Sequence, residues 1–331
     1  MKIYAAVIGT GIGLKHILAI NNYKNSKVLI VCEKNRRKIL KLKKIFPEIK
    51  FVESENEIFS EKKINLVSIA SYDDYHYKQI INCLKKNINI IIEKPICLKL
   101  DQLKNIKKIL KKSKSSITSN MVLRVNDLFS RIKNQVNSKG IYYIEGDYIW
   151  GRKEKILGWR SKIKNFSFTL GAAIHMIDLI CWILNEKPIS VRTFGNNIVT
   201  KKTRFNKKSF LIYIFKFADQ KIAKITANMV GVHEHFHDLR IFTNKETFIH
   251  NCNKTFKIFK KNNKLRQINL NYNYPDKHRR KKMIQNFIDH LKDKKVKQII
   301  TKDEIFDLMS ICFTADESLK QNKELKIKYL R

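Results

Sequence analysis

Two short stretches carry the polar groups with which this chain can do chemistry. In the first, Glu93-Lys94-Pro95 follows a run with isoleucine at positions 88, 90, 91 and 92. Such β-branched side chains are stiff about χ1 and suit a strand buried on both faces, and proline cannot continue a hydrogen-bonded ladder. The run predicts a central strand that delivers Lys94 at its carboxyl edge, where open α/β sheets bind ligands. An ammonium placed there can hydrogen-bond a hydroxyl or, partly desolvated, exchange a proton with it. In the second stretch, a helix predicted from about Thr169 is apolar almost all round and ends before Pro188, which predicts burial. His175 and Asp178 are its conspicuous polar groups. They share one face, where the carboxylate can fix the imidazole tautomer and favour its charged form. Taken singly, a lysine after a strand is usually solvated, and a histidine in such a helix is usually a hydrogen-bonded core residue. What precedes them in the chain gives the pair its weight.

Residues Ile3 to Ile8 read as a short apolar strand, followed by Gly9-Thr10-Gly11-Ile12-Gly13 and a helix from about Leu14 to Asn21. A pyrophosphate needs this order: backbone that a ligand can approach closely, then a helix N-terminus that attracts its charge. The G-x-G-x-G spacing is one residue tighter than the common dinucleotide fingerprint. The next strand, Lys27 to Val31, ends at Cys32-Glu33. A carboxylate there accepts hydrogen bonds from adenosine ribose hydroxyls and so favours NAD over NADP. Lys34, Arg36 and Arg37 keep NADP open, since they can receive a 2′-phosphate or equally begin a solvated helix. A third strand, Asn65 to Ala70, leads into Ser71 to His76, a polar loop and helix N-cap expected beside the glycine turn. A helix from Tyr75 to Lys86, the isoleucine strand, a helix from Leu100 to Lys112 and a strand around Ser116 to Val122 follow. This alternation predicts an α/β protein whose N-terminal part is a doubly wound parallel sheet. The division is expected at Leu123, giving domains 1–122 and 123–331.

Gly9-Thr10-Gly11-Ile12-Gly13 with His16, Glu33, Ser68-Ile69-Ala70, His76, Glu93-Lys94-Pro95 and Leu123-Arg124-Val125-Asn126 resembles, in order and spacing, the Gfo/Idh/MocA oxidoreductases. The similarity continues through Phe287-Ile288-Asp289 and Glu317-Ser318-Leu319. The resemblance implies an N-terminal Rossmann domain binding a dinucleotide through Gly9, Thr10, Gly11, Ile12, Gly13, Glu33, Ser71, His76, Glu93 and Lys94. It also implies a C-terminal α/β domain with a large, mostly antiparallel sheet that binds substrate and supports a homodimer or homotetramer. Members similar to inositol dehydrogenase use a lysine of Glu-Lys-Pro and a histidine of D-x-x-x-H-x-x-D to position and deprotonate the hydroxyl being oxidised. Lys94 and His175 match those two residues and Asp178 the last aspartate, whereas Gly171 stands where the first aspartate would be. That departure argues against a polyol held as in inositol dehydrogenase and leaves hydride transfer itself plausible, because the cofactor accepts the hydride.

Further along, Tyr142 to Trp150, Phe210 to Phe217 and Lys221 to Val230 read as strands. Arg124, Arg152, Trp159 and Arg160 precede the His175 helix. Arginine there suits a phosphate or carboxylate and tryptophan stacks on a sugar ring, with Trp159 and Arg160 ranked above Arg152. His233, His235 and His237 alternate and would share one strand face. A metal site, a substrate contact and a polar sheet rim all stay open for them, and no metal is expected.

Composition narrows the classes. The chain has 331 residues, 44% of them hydrophobic, enough for two sizeable cores. Its net charge of +39 usually signals a nucleic-acid partner. Here lysine is spread over nearly every helix without a basic tail or aromatic platform, so no specific nucleic-acid binding is expected. The six cysteines include no C-x-x-C pair and predict reduced thiols. No membrane span or signal peptide is expected, hence a cytoplasmic protein. The reading is an NAD(P)-dependent dehydrogenase or reductase acting on a secondary alcohol or ketone of a sugar, a nucleotide sugar or a related cyclic compound. The alternative is a non-catalytic dinucleotide-binding sensor of the same fold.

Overall fold

The computed structural model describes residues 1–252 and 254–330. The chain divides into two units, Met1–Val122 with Lys277–Phe306, and Leu123–Asp276 with Asp307–Arg331.

In the first unit β1 (Ile3–Ile8), α1 (Gly13–Asn21), β2 (Ser26–Cys32), α2 (Arg36–Ile45), β3 (Lys50–Val52) and α3 (Asn56–Ser60) come first. They are followed by β4 (Leu66–Ile69), α4 (His76–Lys85), β5 (Asn89–Ile92), α5 (Leu100–Leu110) and β6 (Ile117–Ser119). The sheet has the order β3-β2-β1-β4-β5-β6 and every pairing is parallel. The direction of winding reverses between β1 and β4, the switch point at which such sheets bind ligands. Ile90, Ile91 and Ile92 are buried on both faces of β5, as the sequence predicts. The strand read as third is the fourth. Before it comes β3, a three-residue edge strand too short to show an alternating pattern.

In the second unit α6 (Asp127–Gln135), β7 (Ile141–Ile149), α7 (Lys153–Leu157) and α8 (Ile174–Leu184) precede a long run of strands. These are β8 (Ser190–Asn196), β9 (Phe210–Lys216), β10 (Ile222–Asn228), β11 (Phe236–Thr243), β12 (Glu246–His250), β13 (Thr255–Lys261) and β14 (Lys264–Asn269). The resulting nine-stranded sheet runs β14-β13-β12-β11-β7-β10-β9-β8-β15, where β15 is Leu325–Lys326. Only β7 and β10 pair in parallel; the other pairings are antiparallel. Helix α8 packs on β7 at Gly146, where a Cβ would lie 2.3 Å from Met176 Cε and 3.3 Å from the Asp238 carbonyl oxygen, so a side chain there would have to displace the methionine. With Ile174, Met176, Ile177, Leu179, Ile180, Ile183 and Leu184 buried, α8 is apolar round most of its circumference because it is covered on most sides.

A single division at 123 does not describe the chain. Helix α9 (Lys281–Lys292) returns to the first unit, where Ile284, Phe287, Ile288 and Leu291 share a core with Ile17, Ile20 and Val28. Its amphipathic face has no signature of the sheet it joins, so the return is not visible in local sequence. The last helix, α10, is Lys302–Gln321.

Candidate active site

A cavity of about 560 Å³ opens in the first unit at the carboxyl ends of β1, β2 and β4. Gly9, Thr10, Gly11, Glu33, Glu55 and Ser71 are among its lining residues. Gly9 has φ +86°, and a Cβ there would lie 2.6 Å from the Ala70 carbonyl oxygen, so the turn itself demands glycine. Gly13 is packed almost as closely, with a would-be Cβ 3.1 Å from Val7 Cγ1. Gly11 differs: a Cβ there would meet nothing within 4 Å. Packing within the protein makes no demand at this position, whereas a pyrophosphate lying against the backbone at the N-terminus of α1 would.

Glu33, directly after β2, lines the same cavity. Its Oε1 accepts from the Asn35 amide at 2.9 Å, and its Oε2 accepts from the Thr10 amide at 3.3 Å and from the Thr10 hydroxyl. Burial pushes the carboxyl up, but the hydrogen bonds from Thr10 and Asn35 and the Lys38 charge outweigh it, and the group is held below its ordinary value. Of the residues that kept NADP open, Arg36 Nε is 2.8 Å from Glu53 and Lys34 Nζ lies 5.0 Å from the centre of the Tyr75 ring. The glycine turn, the acceptor carboxylate and the volume fit the adenosine and pyrophosphate half of a dinucleotide.

Glu93 and Lys94 follow β5 in the same unit. Glu93 Oε1 receives the Asn120 amide at 2.6 Å and lies 3.1 Å from His16 Nε2, while His16 Nδ1 is 2.7 Å from Ser68 Oγ. Burial raises Glu93, yet the bonds from His16 and Asn120 and the charges of His16 and Lys94 outweigh it and leave the carboxyl below its usual range. His76, buried at the start of α4, reaches the Pro95 carbonyl at 2.7 Å and the Ser71 carbonyl at 3.2 Å. It thus ties the loop carrying Lys94 to the loop lining the cavity, a fixing role that its position in the sequence alone does not reveal.

In the second unit His175 stacks on Tyr148, with ring centres 6.1 Å apart and planes 10° from parallel. Asp178 is held by Arg124, Nη2 to Oδ1 at 2.7 Å and Nε to Oδ2 at 3.0 Å, and both side chains are buried. Arg124, expected to face substrate, thus has its guanidinium on the carboxylate expected to orient His175. Arg160 lies 4.2 Å from the centre of the Trp159 ring and 5.3 Å from that of Trp150. The guanidinium and the Trp159 ring form the paired cationic and aromatic surface foreseen for a sugar. Gly171 falls in a π-helical turn, Thr169–Ala173, that runs into α8, and the ring of Phe166 covers it. Such turns often mark functional sites.

The three histidines do not all lie on one strand, although the His235 and His237 rings are 4.9 Å apart and both pack edge-on against Tyr148. Strand β11 starts at Phe236, so only His237 belongs to it, with Nδ1 2.6 Å from the Tyr274 hydroxyl. His235 reaches the Ile149 carbonyl at 3.2 Å and His233 is exposed. Among the described residues no three His, Cys, Asp or Glu side chains are grouped as a metal ion would need. No described helix is long and apolar enough to cross a membrane. Glu55, Gln79, Asn120 and Tyr148 were not singled out from sequence. Gln79, one turn after His76 on α4, is the only one whose spacing offered a signal.

Residues 3–121 match the Gfo/Idh/MocA family, described as an oxidoreductase family with an NAD-binding Rossmann fold. Among curated relatives, YteT of Bacillus subtilis is 26% identical over 173 residues, 46% of this chain and 39% of YteT, so the match spans less than half of that relative. The fold of myo-inositol 2-dehydrogenase from Lactobacillus plantarum matches with a TM-score of 0.84 at 18% identity, over 99% of this chain and 100% of that one. Scyllo-inositol dehydrogenase from Lactobacillus casei, solved with NAD(H) and scyllo-inositol, matches with a TM-score of 0.80 at 16% identity, over 98% of this chain and 99% of the other. At these identities the structures speak to the fold. Residues 3–121, with the glycine turn, Glu33 and the parallel sheet that positions them, are thus similar to the NAD-binding Rossmann part of the Gfo/Idh/MocA oxidoreductases.

Proposed function

We propose that this protein is an NAD(P)-dependent oxidoreductase, with NAD preferred. It transfers a hydride between the nicotinamide and a secondary alcohol or ketone of a sugar, a nucleotide sugar or a related cyclic compound. The observation that carries this reading is Gly11, which the protein's own packing does not require to be glycine, beside an acceptor carboxylate at Glu33. The family match and the inositol dehydrogenase folds support it.

The nicotinamide, when bound, supplies the hydride acceptor or donor. The chain's residues do the rest. Glu33 accepts from the ribose hydroxyls and the N-terminus of α1 faces the pyrophosphate. Lys94 orients the reacting hydroxyl and His175 takes its proton. Asp178, locked by Arg124, stiffens the turn that bears His175, and Trp159 with Arg160 offers a face on which a sugar ring can stack. We further propose a cytoplasmic homodimer or homotetramer acting on a small molecule and not on nucleic acid.

The test is a panel of inositols, free sugars and nucleotide sugars with NAD⁺ and NADP⁺, followed by absorbance, for the wild type and for Lys94→Ala and His175→Ala. Both variants should keep NADH affinity within about threefold while turnover falls by about a hundredfold or more. A wild type that binds neither cofactor, or variants that turn over normally, would refute the assignment.

A further inference from the structure

We propose that Glu55, acting through Gln79 and Ser71, is a second determinant that makes the first-unit cavity select a ribose 2′-hydroxyl over a 2′-phosphate. The proposal rests on the reading above that this cavity takes the adenosine half of the cofactor.

Glu55 follows β3 directly before α3 and lines the cavity together with Glu33. Its Oε1 accepts from Gln79 Nε2 at 2.6 Å, and Gln79 Oε1 lies 2.7 Å from Ser71 Oγ. A carboxylate can only accept, so the amide must turn its NH₂ toward Glu55 and its oxygen toward Ser71. The Ser71 hydroxyl must then give its hydrogen to Gln79, and what Ser71 can still offer is a lone pair. Gln79 is 1% exposed, so solvent does not compete for either end of the amide.

Polarity set at Glu55 therefore reaches the loop beside the glycine turn. With Glu33, the cavity presents two carboxylates and an oriented hydroxyl oxygen, all acceptors. A ribose diol brings donors to them. A 2′-phosphate brings only acceptors and a charge of about −1.5 to −2. Of the cations that follow β2, Lys38 Nζ is 3.9 Å from Glu33 Oε2, Lys34 lies over Tyr75 and Arg36 is paired with Glu53, which leaves the exposed Arg37 as the cation a 2′-phosphate could recruit. The Cys32 thiol at the cavity wall is pushed up to about 11, first by burial and next by the Glu55 charge, which places that charge within electrostatic reach of the cavity.

The test measures NADH and NADPH dissociation constants, by nicotinamide fluorescence and calorimetry, for the wild type, Glu55→Gln and Glu33→Gln. Glu55→Gln keeps the shape but removes the charge and lets the Gln79 amide take either orientation. It should tighten NADPH by about tenfold and weaken NADH by about threefold, with an unchanged melting temperature. An unchanged NADH-to-NADPH ratio in Glu55→Gln, with NADH bound and Glu33→Gln impaired, refutes the role of Glu55 and leaves the cofactor pocket standing. Failure of the wild type to bind either nucleotide overturns both.

Discussion

Arg124 and Asp178 form a two-pronged ion pair whose side chains are 4% and 2% exposed. Breaking such a pair from one side is costlier than removing it altogether, because it strands a buried charge. Arg124→Met should lower unfolding stability by about 3–5 kcal/mol, whereas Arg124→Met with Asp178→Leu should recover most of that loss. Urea titrations of the two variants decide it. Equal losses would mean that the pair does little beyond filling space.

Gly9 and Gly11 are both in the turn, but the structure separates their reasons. Gly9→Ala meets a positive φ and the Ala70 carbonyl at 2.6 Å, so it should lose about 1–3 kcal/mol of stability and NADH affinity with it. Gly11→Ala has open space and should melt at the wild-type temperature while NADH binding weakens by about tenfold or more. Melting curves with and without NADH read both effects. Equal melting losses in the two variants would remove the argument that Gly11 answers to a ligand.

Much of this was legible. The isoleucine strand, the glycine turn, Glu33 and the burial of α8 follow from periodicity and turn chemistry, because each is decided by near neighbours in the chain. What stayed hidden depends on pairings across distance. Asp178 is three positions from His175, yet its carboxylate is engaged by Arg124, fifty-four positions earlier. Strand β11 starts after His235, so the alternation outruns the strand and holds only for His235 and His237, whose rings lie 4.9 Å apart. Glu55 follows a three-residue strand that leaves no periodic signal.

Asp316 on α10 gives a pH dependence. Burial pushes its carboxyl up to about 6, with hydrogen bonds from Ser167 and Thr169 offsetting part of the effect. Because the folded value lies above the unfolded one of 3.8, the stability gained by keeping the proton is complete below about 4 and lost as the pH rises through about 6. Asp316→Asn keeps an acceptor for Thr169 and carries no charge. Between pH 4 and 7 the wild type should lose about 2–3 kcal/mol relative to this variant. Guanidinium midpoints at pH 4, 5.5 and 7 check it, and parallel curves would show that Asp316 ionises as freely in the folded chain as in the unfolded one.

Phe166 explains why glycine stands at 171. A Cβ there would lie 2.4 Å from Phe166 Cζ and 2.8 Å from Cε2, and the ring is 3% exposed. It has little room to yield: it packs edge-on against Phe168 and Phe205 at 5.7 and 6.0 Å. Its backbone carbonyl, with those of Ile163 and Lys164, accepts from Lys207 Nζ at 3.0 to 3.1 Å. Gly171→Ala should therefore cost about 1–3 kcal/mol. Gly171→Asp should cost more, since it forces a carboxylate against an aromatic ring. Shrinking the ring with Phe166→Leu has its own penalty, so the informative quantity is the coupling. In the cycle of Gly171→Ala and Phe166→Leu the double variant should be more stable than the sum of the singles allows by about 1 kcal/mol or more. Strict additivity would mean that the ring is not what keeps a side chain out of position 171, and the aspartate of related sequences would then be excluded for some other reason.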